Sequence, residues 1–422
     1  EAEMAALLTA LDGRFVRPGP AGAPTRGRAD VLPTGRNLYS VDGRGVPTRA
    51  AWTLGRASAE ELVRAYTQEH GRYPRRIALS AWGTANMRTG GDDIAQALAL
   101  LGAAPTWDAA SHRVSGFEII PTGELRRARV DVVFRVSGFF RDAFPSQMDL
   151  IESAARAVAA LDEPSDVNPL KERLEGETLS PTVFGAAPQS YGAGLRQRIE
   201  RGDWETRGDL AEAFLGASAF AYGAGREGEA MGAALRASLA ASDAVAHNQD
   251  HREGDLLETT DFAEFEGGLA ASIETLKGAP VPIFHMDHSD TEAPRARTLE
   301  AEIALILRGR ATSPRWIAAM RRHGHRGAQE LAITTTALLA FAATTHAVAD
   351  HQFEALHEAY LIDPDVRDWL GDVNPDARAE IASRLDEAIR RGLWHPRRNS
   401  AADHVAALST KGQAHTKDQT HV

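Results

Sequence analysis

Along the chain the apolar positions keep one of two periods, and the changes of period mark out the elements. Arg76-Ile-Ala-Leu-Ser-Ala-Trp82 is a short continuous apolar run, and Phe117–Ile120 and Val130–Val136 are two more. Each has the length and residue types of a buried strand. Between and beyond them apolar residues recur at helical spacing: the stretch 58–70 stops at Gly71, Ile94–Leu101 follows Gly90-Gly91-Asp92, and Gln147–Leu161 closes the series. Val46-Pro47-Thr48 has the Pro expected near a helix start. Strands alternating with helices on this scale predict a parallel-type α/β domain over residues 31–165.

The flanks read differently. Residues 1–11 look like the end of a helix, and Arg17–Asp30 is a Pro/Gly/Arg stretch, so 1–30 is expected to be a linker or extended arm. Asp162–Pro181 is charged and reads as a linker. Residues 182–292 form a Gly/Ala-rich α/β segment that also carries most of the candidate chemistry. Residues 293–400 are a mainly helical region, with helices expected at 298–308, 314–323, 327–348, 350–360 and 375–391, broken at Gly309, Gly324, Pro364 and Pro375. The polar tail 401–422 is expected to be disordered.

Charge and composition narrow the classes. A formal charge of −11 and a pI near 5.8 argue against a nucleic-acid partner, which wants a basic face. The chain has no cysteine, which excludes disulfides and thiolate sites and fits a cytoplasmic location. No apolar run approaches a membrane span. The opening Glu-Ala-Glu-Met has no basic leader and no initiator Met, and reads as part of a longer protein. Lysine is confined to Lys171, Lys277, Lys411 and Lys417, and no G-x-x-x-x-G-K-[ST] loop occurs, so any ATP belongs on another subunit.

The candidate chemistry centres on His247-Asn-Gln-Asp250-His251-Arg-Glu253 and its acidic continuation to Glu266, which holds seven carboxylates against Arg252. His285-Met-Asp287-His288 follows. Imidazole and carboxylate suit borderline divalent metals; the plain alternative is a solvated acidic turn beside core histidines. His247 and His251 are four apart, but H-E-x-x-H is absent, and the stretch reads as a strand end entering a loop. His346, Asp350, Glu354 and His357 form a second possible cluster, equally well read as an amphipathic surface. Gly223-Ala-Gly225-Arg-Glu-Gly228 fits the dinucleotide pattern G-x-G-x-x-G, though the strand before it is feeble. Arg36, Asn37, Trp82, Arg88 and Phe139-Phe140-Arg141-Asp142 sit at predicted strand ends or loops, where open α/β sheets place ligand contacts.

Several phrases together resemble the large subunits of the cobaltochelatase (CobN) and magnesium chelatase family. They are Pro33-Thr-Gly-Arg-Asn37-Leu-Tyr-Ser-Val-Asp42, Ala81-Trp-Gly-Thr84, Met87-Arg-Thr-Gly-Gly-Asp-Asp-Ile-Ala-Gln96 and Ser137-Gly-Phe-Phe-Arg-Asp-Ala-Phe-Pro145, followed by His247-Asn-Gln-Asp250, Glu266-Gly-Gly268, His285 through Ser289, Ser313-Pro-Arg-Trp316 and Phe341-Ala-Ala-Thr-Thr345. Around 247–253 and 285–289 the chain is similar to the cobalt type, and it looks like the C-terminal third of such a subunit. The resemblance implies ATP-dependent insertion of Co2+ into hydrogenobyrinic acid a,c-diamide. ATP with Mg2+ would be held by an AAA+-type partner, CobS, acting with CobT. His251, His325 and His346 depart from the family's usual residues and receive no role.

On this reading His247, His285 and His288 handle the metal, while Asp250 and Glu253 accept protons. Arg36, Asn37, Arg88 and Arg141 hold substrate groups, and Trp82 and Tyr191 lie against the macrocycle. A magnesium chelatase-type subunit, a non-catalytic tetrapyrrole-binding module and a nicotinamide oxidoreductase using Gly223–Gly228 are the alternatives.

Overall fold

The computed structural model describes residues 1–19, 24, 29–36, 42–176 and 178–418. Asn37 lies outside the described residues. The chain divides into two compact units, each assembled from separated stretches. One comprises Glu1–Gly192, Leu215–His251 and Phe284–Ala296; the other comprises Ala193–Phe214, Arg252–Ile283 and Arg297–Val422. The division expected at the 162–181 linker falls within the first unit, and the one expected after residue 292 falls near the change of unit between Ala296 and Arg297. Composition marks where a chain can turn, but backbone hydrogen bonding decides which sheet a strand joins.

The first unit is built on an α/β sheet. Its strands in chain order are β1 (Arg76–Ala81), β2 (Ala103–Trp107), β3 (Val114–Ile119), β4 (Asp131–Val136), β5 (Leu174–Glu175), β6 (Thr178–Leu179), β7 (Val183–Gly185), β8 (Phe220–Gly223), β9 (Arg226–Ala230), β10 (Ala244–Gln249), β11 (Ile283–Asp287) and β12 (Arg295–Thr298). Eight of them form one sheet in the order β12-β11-β10-β1-β4-β7-β8-β9. Strand β1 pairs in parallel with β4 on one side and β10 on the other, with Ser80 opposite both Arg135 and His247. Every residue of β1, β4 and β10 is buried, as expected of parallel strands covered on both faces. The parallel α/β reading of residues 31–165 thus holds at β1 and β4. The expected strand at 117–120 belongs instead to β3, which pairs antiparallel with β2 outside the main sheet. The expected linker 162–181 contains the small β5–β6 hairpin.

The glycine-rich motif at 223–228 is a hairpin. Gly223, Ala224 and Gly225 all take positive φ (79°, 53° and 84°) and join β8 to the antiparallel β9. A dinucleotide turn runs from a strand into a helix, and here position 228 lies in a strand. Periodicity could not separate the two, because both need glycines that adopt left-handed backbone.

Glycine also sets a close approach between two helices. A Cβ on Gly55, in the helix Arg49–His70, would lie 2.5 Å from the Ala95 Cβ and 2.7 Å from the Gln96 nitrogen. The backbones of helices Arg49–His70 and Asp92–Leu101 therefore touch at that point.

The second unit is mainly helical, as expected for 293–400. Gly324–Thr344 is its buried helix, and Gly267 packs on it so closely that a Cβ would fall 2.1 Å from the Thr344 Oγ1. Pro364, read as a break, is the first residue of an additional helix, Pro364–Val373, capped by Asp363. Among the described residues of the tail, a helix runs from Ser400 to Asp418, anchored by Ala401 and Val405, both buried. Its apolar positions are few, which is why composition alone suggested disorder.

Candidate functional site

In an open α/β sheet, side chains that follow the carboxyl ends of neighbouring strands converge beside the crossover point. Here β1 delivers Trp82, β4 delivers Ser137, and β10 ends in His247-Asn248-Gln249. Two helix starts are drawn together at this edge. The Gly83 nitrogen donates to the Ser137 Oγ at 3.1 Å, and a Cβ on Gly83 would meet the Phe140 nitrogen at 2.6 Å.

The paired glycines of Thr89-Gly-Gly-Asp-Asp93 supply the next part. Gly90 ends the helix Gly83–Thr89 and Gly91 starts the helix Asp92–Leu101, with φ of 75° and 104°. The Thr89 Oγ1 accepts from the Gly91 and Asp92 nitrogens at 3.2 and 3.1 Å. This places Asp92 and Asp93 in the first turn of a helix, where its dipole favours carboxylates.

The two histidine runs meet on neighbouring strands. The His247 and His285 rings stack with centroids 5.8 Å apart, and Trp82 sets its ring edge-on to His247 at 4.9 Å. The His285 Nε2 lies 3.0 Å from the Gln249 Oε1. The His288 nitrogen donates to the Gln249 carbonyl at 2.9 Å. All three histidines are buried, at 2% exposure or less. Burial, reinforced by His285 and His288, holds the His247 imidazole well below its ordinary range, so it is neutral at pH 7.

Around them runs a buried polar network. Asn86 and Asn248 donate through Nδ2 to the two Asp93 oxygens, at 2.6 and 2.8 Å. The Asn248 Nδ2 also reaches the Gln96 Oε1 at 2.7 Å. The Gln96 Nε2 donates to the Ser58 Oγ at 2.9 Å, and Ser58 Oγ lies 2.7 Å from the His288 Nε2. The His288 Nδ1 faces the Asp92 Oδ2 at 3.5 Å. Burial pushes the Asp93 carboxyl up to about 7, against the pull of its two amide donors and of His288.

Of the expected site residues, His247, His285, His288 and Trp82 come together in this cluster. Arg88 and Asp250 meet each other: Nε and Nη2 each donate to one carboxylate oxygen at 2.8 Å. A substrate clamp and a proton acceptor were expected there, and the structure makes them an ion pair. Glu253 is exposed in a loop of the second unit. Arg36 donates to the Pro33 carbonyl at 3.3 Å on the N-terminal arm.

Arg141 is buried, with Nε on Asp142 at 2.7 Å and Nη1 on the carbonyls of Ala187 and Ser190 at 2.7 and 3.0 Å. Those donors brace a loop. Tyr191, 67% exposed, donates its hydroxyl to Asp142 at 2.7 Å. Phe140 belongs to the core, whereas Phe139 is exposed.

The acidic run is largely spent on structure. Both Asp255 oxygens accept from Arg310, and the Glu264 Oε1 accepts from the Ala193 and Leu195 nitrogens. The second candidate cluster is dispersed within its own unit. His346 pairs with Glu274 at 2.9 Å, Asp350 accepts from the His395 nitrogen at 2.8 Å, and His357 faces His404 at 3.2 Å. Among the described residues, no three or more His, Asp or Glu side chains converge as a ready-made metal cage.

Sequence reasoning missed Ser58, Asn86, Asp92, Asp93, Gln96, Asn248 and Gln249 as site residues. The signal was present in Gly90-Gly91-Asp92-Asp93, a helix start carrying two acids. Ser58 had none, because its role depends on the helix contact at Gly55.

Residues 1–401 match the family model described as CobN/Magnesium Chelatase. The chain is 53% identical to the aerobic cobaltochelatase subunit CobN of Sinorhizobium sp, covering 97% of this chain and 33% of that protein. It is 32% identical to a magnesium-chelatase subunit of Chlorobaculum parvum, covering 93% and 32%. It also resembles the solved catalytic subunit of cobaltochelatase from Mycobacterium tuberculosis, with a TM-score of 0.91 and 40% identity over 98% of this chain and 36% of that one. The chain thus spans about a third of the length of these relatives.

Proposed function

The chain belongs to the CobN/Magnesium Chelatase family, and from that premise we propose that it is part of the large, tetrapyrrole- and metal-handling subunit of an ATP-dependent cobaltochelatase. The proposed reaction inserts Co2+ into hydrogenobyrinic acid a,c-diamide in the cytoplasm. ATP and its Mg2+ are assigned to an AAA+-type partner, CobS, with CobT, since this sequence carries no phosphate-binding loop of the Walker kind. The cobalt type is favoured over the magnesium type by identity, 53% against 32%.

The observation that carries the reading is the meeting of His247 with His285. Insertion requires an ion to exchange water for ring nitrogens, and the ring to lose protons. A neutral imidazole suits the first task, because it binds Co2+ without first losing a proton. A carboxyl near 7 suits the second, since an acceptor works best when its pKa lies near the working pH. Asp93 has such a pKa and is held by the neutral amides of Asn86 and Asn248, whereas the Asp250 oxygens are engaged by the charged Arg88.

The test uses the full-length protein reconstituted with its partners and ATP. His247→Ala and His285→Ala should each lower Co2+ insertion about tenfold or more while leaving the absorption shift on corrinoid binding intact. Full insertion by both variants sinks the ion-handling role. Insertion of Mg2+ but not Co2+ by the unaltered complex would place the chain on the magnesium side. A corrinoid shift without any insertion would make it a binding module.

A further inference from the structure

We infer that Ser58, Gln96 and Asn248 form one polarised hydrogen-bond line that positions His288, and that His288 serves the site as a fixed acceptor instead of an ion ligand. The inference rests on the ion-handling reading above. Its direction follows from an anchor at one end. With Asp93 ionised, its Oδ1 can only accept, and it does so from Asn248 at 2.8 Å, so the atom facing it is the amide nitrogen. That nitrogen has a second hydrogen, which goes to the Gln96 Oε1 at 2.7 Å. The Gln96 Nε2 must then donate to Ser58, at 2.9 Å. The Ser58 oxygen, already accepting, gives its single proton to the His288 Nε2 at 2.7 Å. The imidazole proton is left on Nδ1, which faces Asp92.

The Nε2 is thus committed to a hydroxyl, and Nδ1 is turned to Asp92. Ser58, Gln96 and His288 are all fully buried. The spacing Ser58–His288–Asp92 has the order of a nucleophilic triad, but a hydroxyl with no exposed surface cannot reach a substrate carbonyl. Positioning is the role left to it. Asn248 adjoins His247 in β10. His288 follows β11, with its own nitrogen on the Gln249 carbonyl and Gln249 on His285. Pinning Asn248 and His288 therefore fixes how the His247 and His285 rings face each other, much as outer partners orient a metal ligand. Gly55 makes the line possible, because only its missing Cβ lets Ser58, one turn on, reach Gln96.

The experiment again uses the full-length protein with its partners, varying Co2+. Ser58→Ala, Gln96→Leu and His288→Gln should each lower turnover about tenfold, with the Co2+ half-saturation moving alike in all three. The double variant S58A/H288Q should be no worse than its poorer single parent, and Ser58→Thr should restore turnover. The inference is overturned if His288→Gln raises the Co2+ half-saturation while Ser58→Ala changes neither constant. Hydrogen exchange of residues 244–249 and 283–288, measured without metal or corrinoid, supplies a readout independent of insertion. Faster exchange in Ser58→Ala supports the line; unchanged exchange overturns it. Should His247→Ala and His285→Ala refute the ion-handling role, this exchange result still decides whether the line exists.

Discussion

Replacing Asp93 by Asn removes one buried titration and leaves its neighbours in place. The Asp93 carboxyl moves from an ordinary 3.8 to about 7 on folding, chiefly through burial. Its folded pKa is raised, so between these values the folded chain holds a proton that the unfolded chain has released. Stability from this group is therefore complete below about pH 4 and is lost as pH rises toward 7. A change of that size is worth on the order of 4 kcal/mol, lost at about 1.4 kcal/mol per pH unit.

The assay is urea unfolding of wild type and Asp93→Asn at pH 5, 6, 7 and 8, followed by tryptophan fluorescence. Asparagine brings an offset of its own, since it offers one acceptor where the carboxylate offers two, to Asn86 and Asn248. That offset does not titrate, so only the pH dependence of the difference is read. Wild type should lose stability relative to the variant between pH 5 and 7, by about 2–3 kcal/mol, and level off above. A difference that is flat from pH 5 to 7, or that favours wild type as pH rises, refutes the account of Asp93 as a carboxyl held protonated by burial.

Arg141→Ala should lower stability by about 1–3 kcal/mol, because it strands carbonyl acceptors at Ala187 and Ser190; corrinoid titration should find the affinity unchanged. His357 is lowered to about 4, first by burial and then by His404. Its folded value lies below the unfolded one, so its contribution is present above about pH 6.5 and is lost as pH falls toward 4. Hydrogen exchange of the helix Ser400–Asp418 should quicken over that range, and His357→Gln should remove the pH dependence.

How much of this was legible depends on the range of the interaction. The buried runs at 76–82 and 130–136 announced β1 and β4, because a strand covered on both faces must be apolar throughout. Gly71 announced a helix end, since it takes the left-handed conformation there, with φ of 69°. The two histidine runs stood out too, from residue type and family phrases, and the fold brings His247 and His285 together. Arg88, Asp250 and Arg141 hold partners within the fold that could not be foreseen, for one shared reason. A charged residue at a strand end looks the same whether it awaits a ligand or is already satisfied by a partner far off in sequence.

By itself, then, the order of residues determined the local elements, the α/β character and the kinship. Those follow from periodicity, backbone preference and short phrases, all of which act over a few neighbouring positions. Only the folded chain decided that β10 and β11 lie beside each other and stack His247 on His285. It also decided that Ser58, 230 residues from His288 in sequence, lies 2.7 Å from its Nε2. Partners at that separation are chosen by close packing, such as the backbone contact at Gly55, and no pattern within either segment encodes the other.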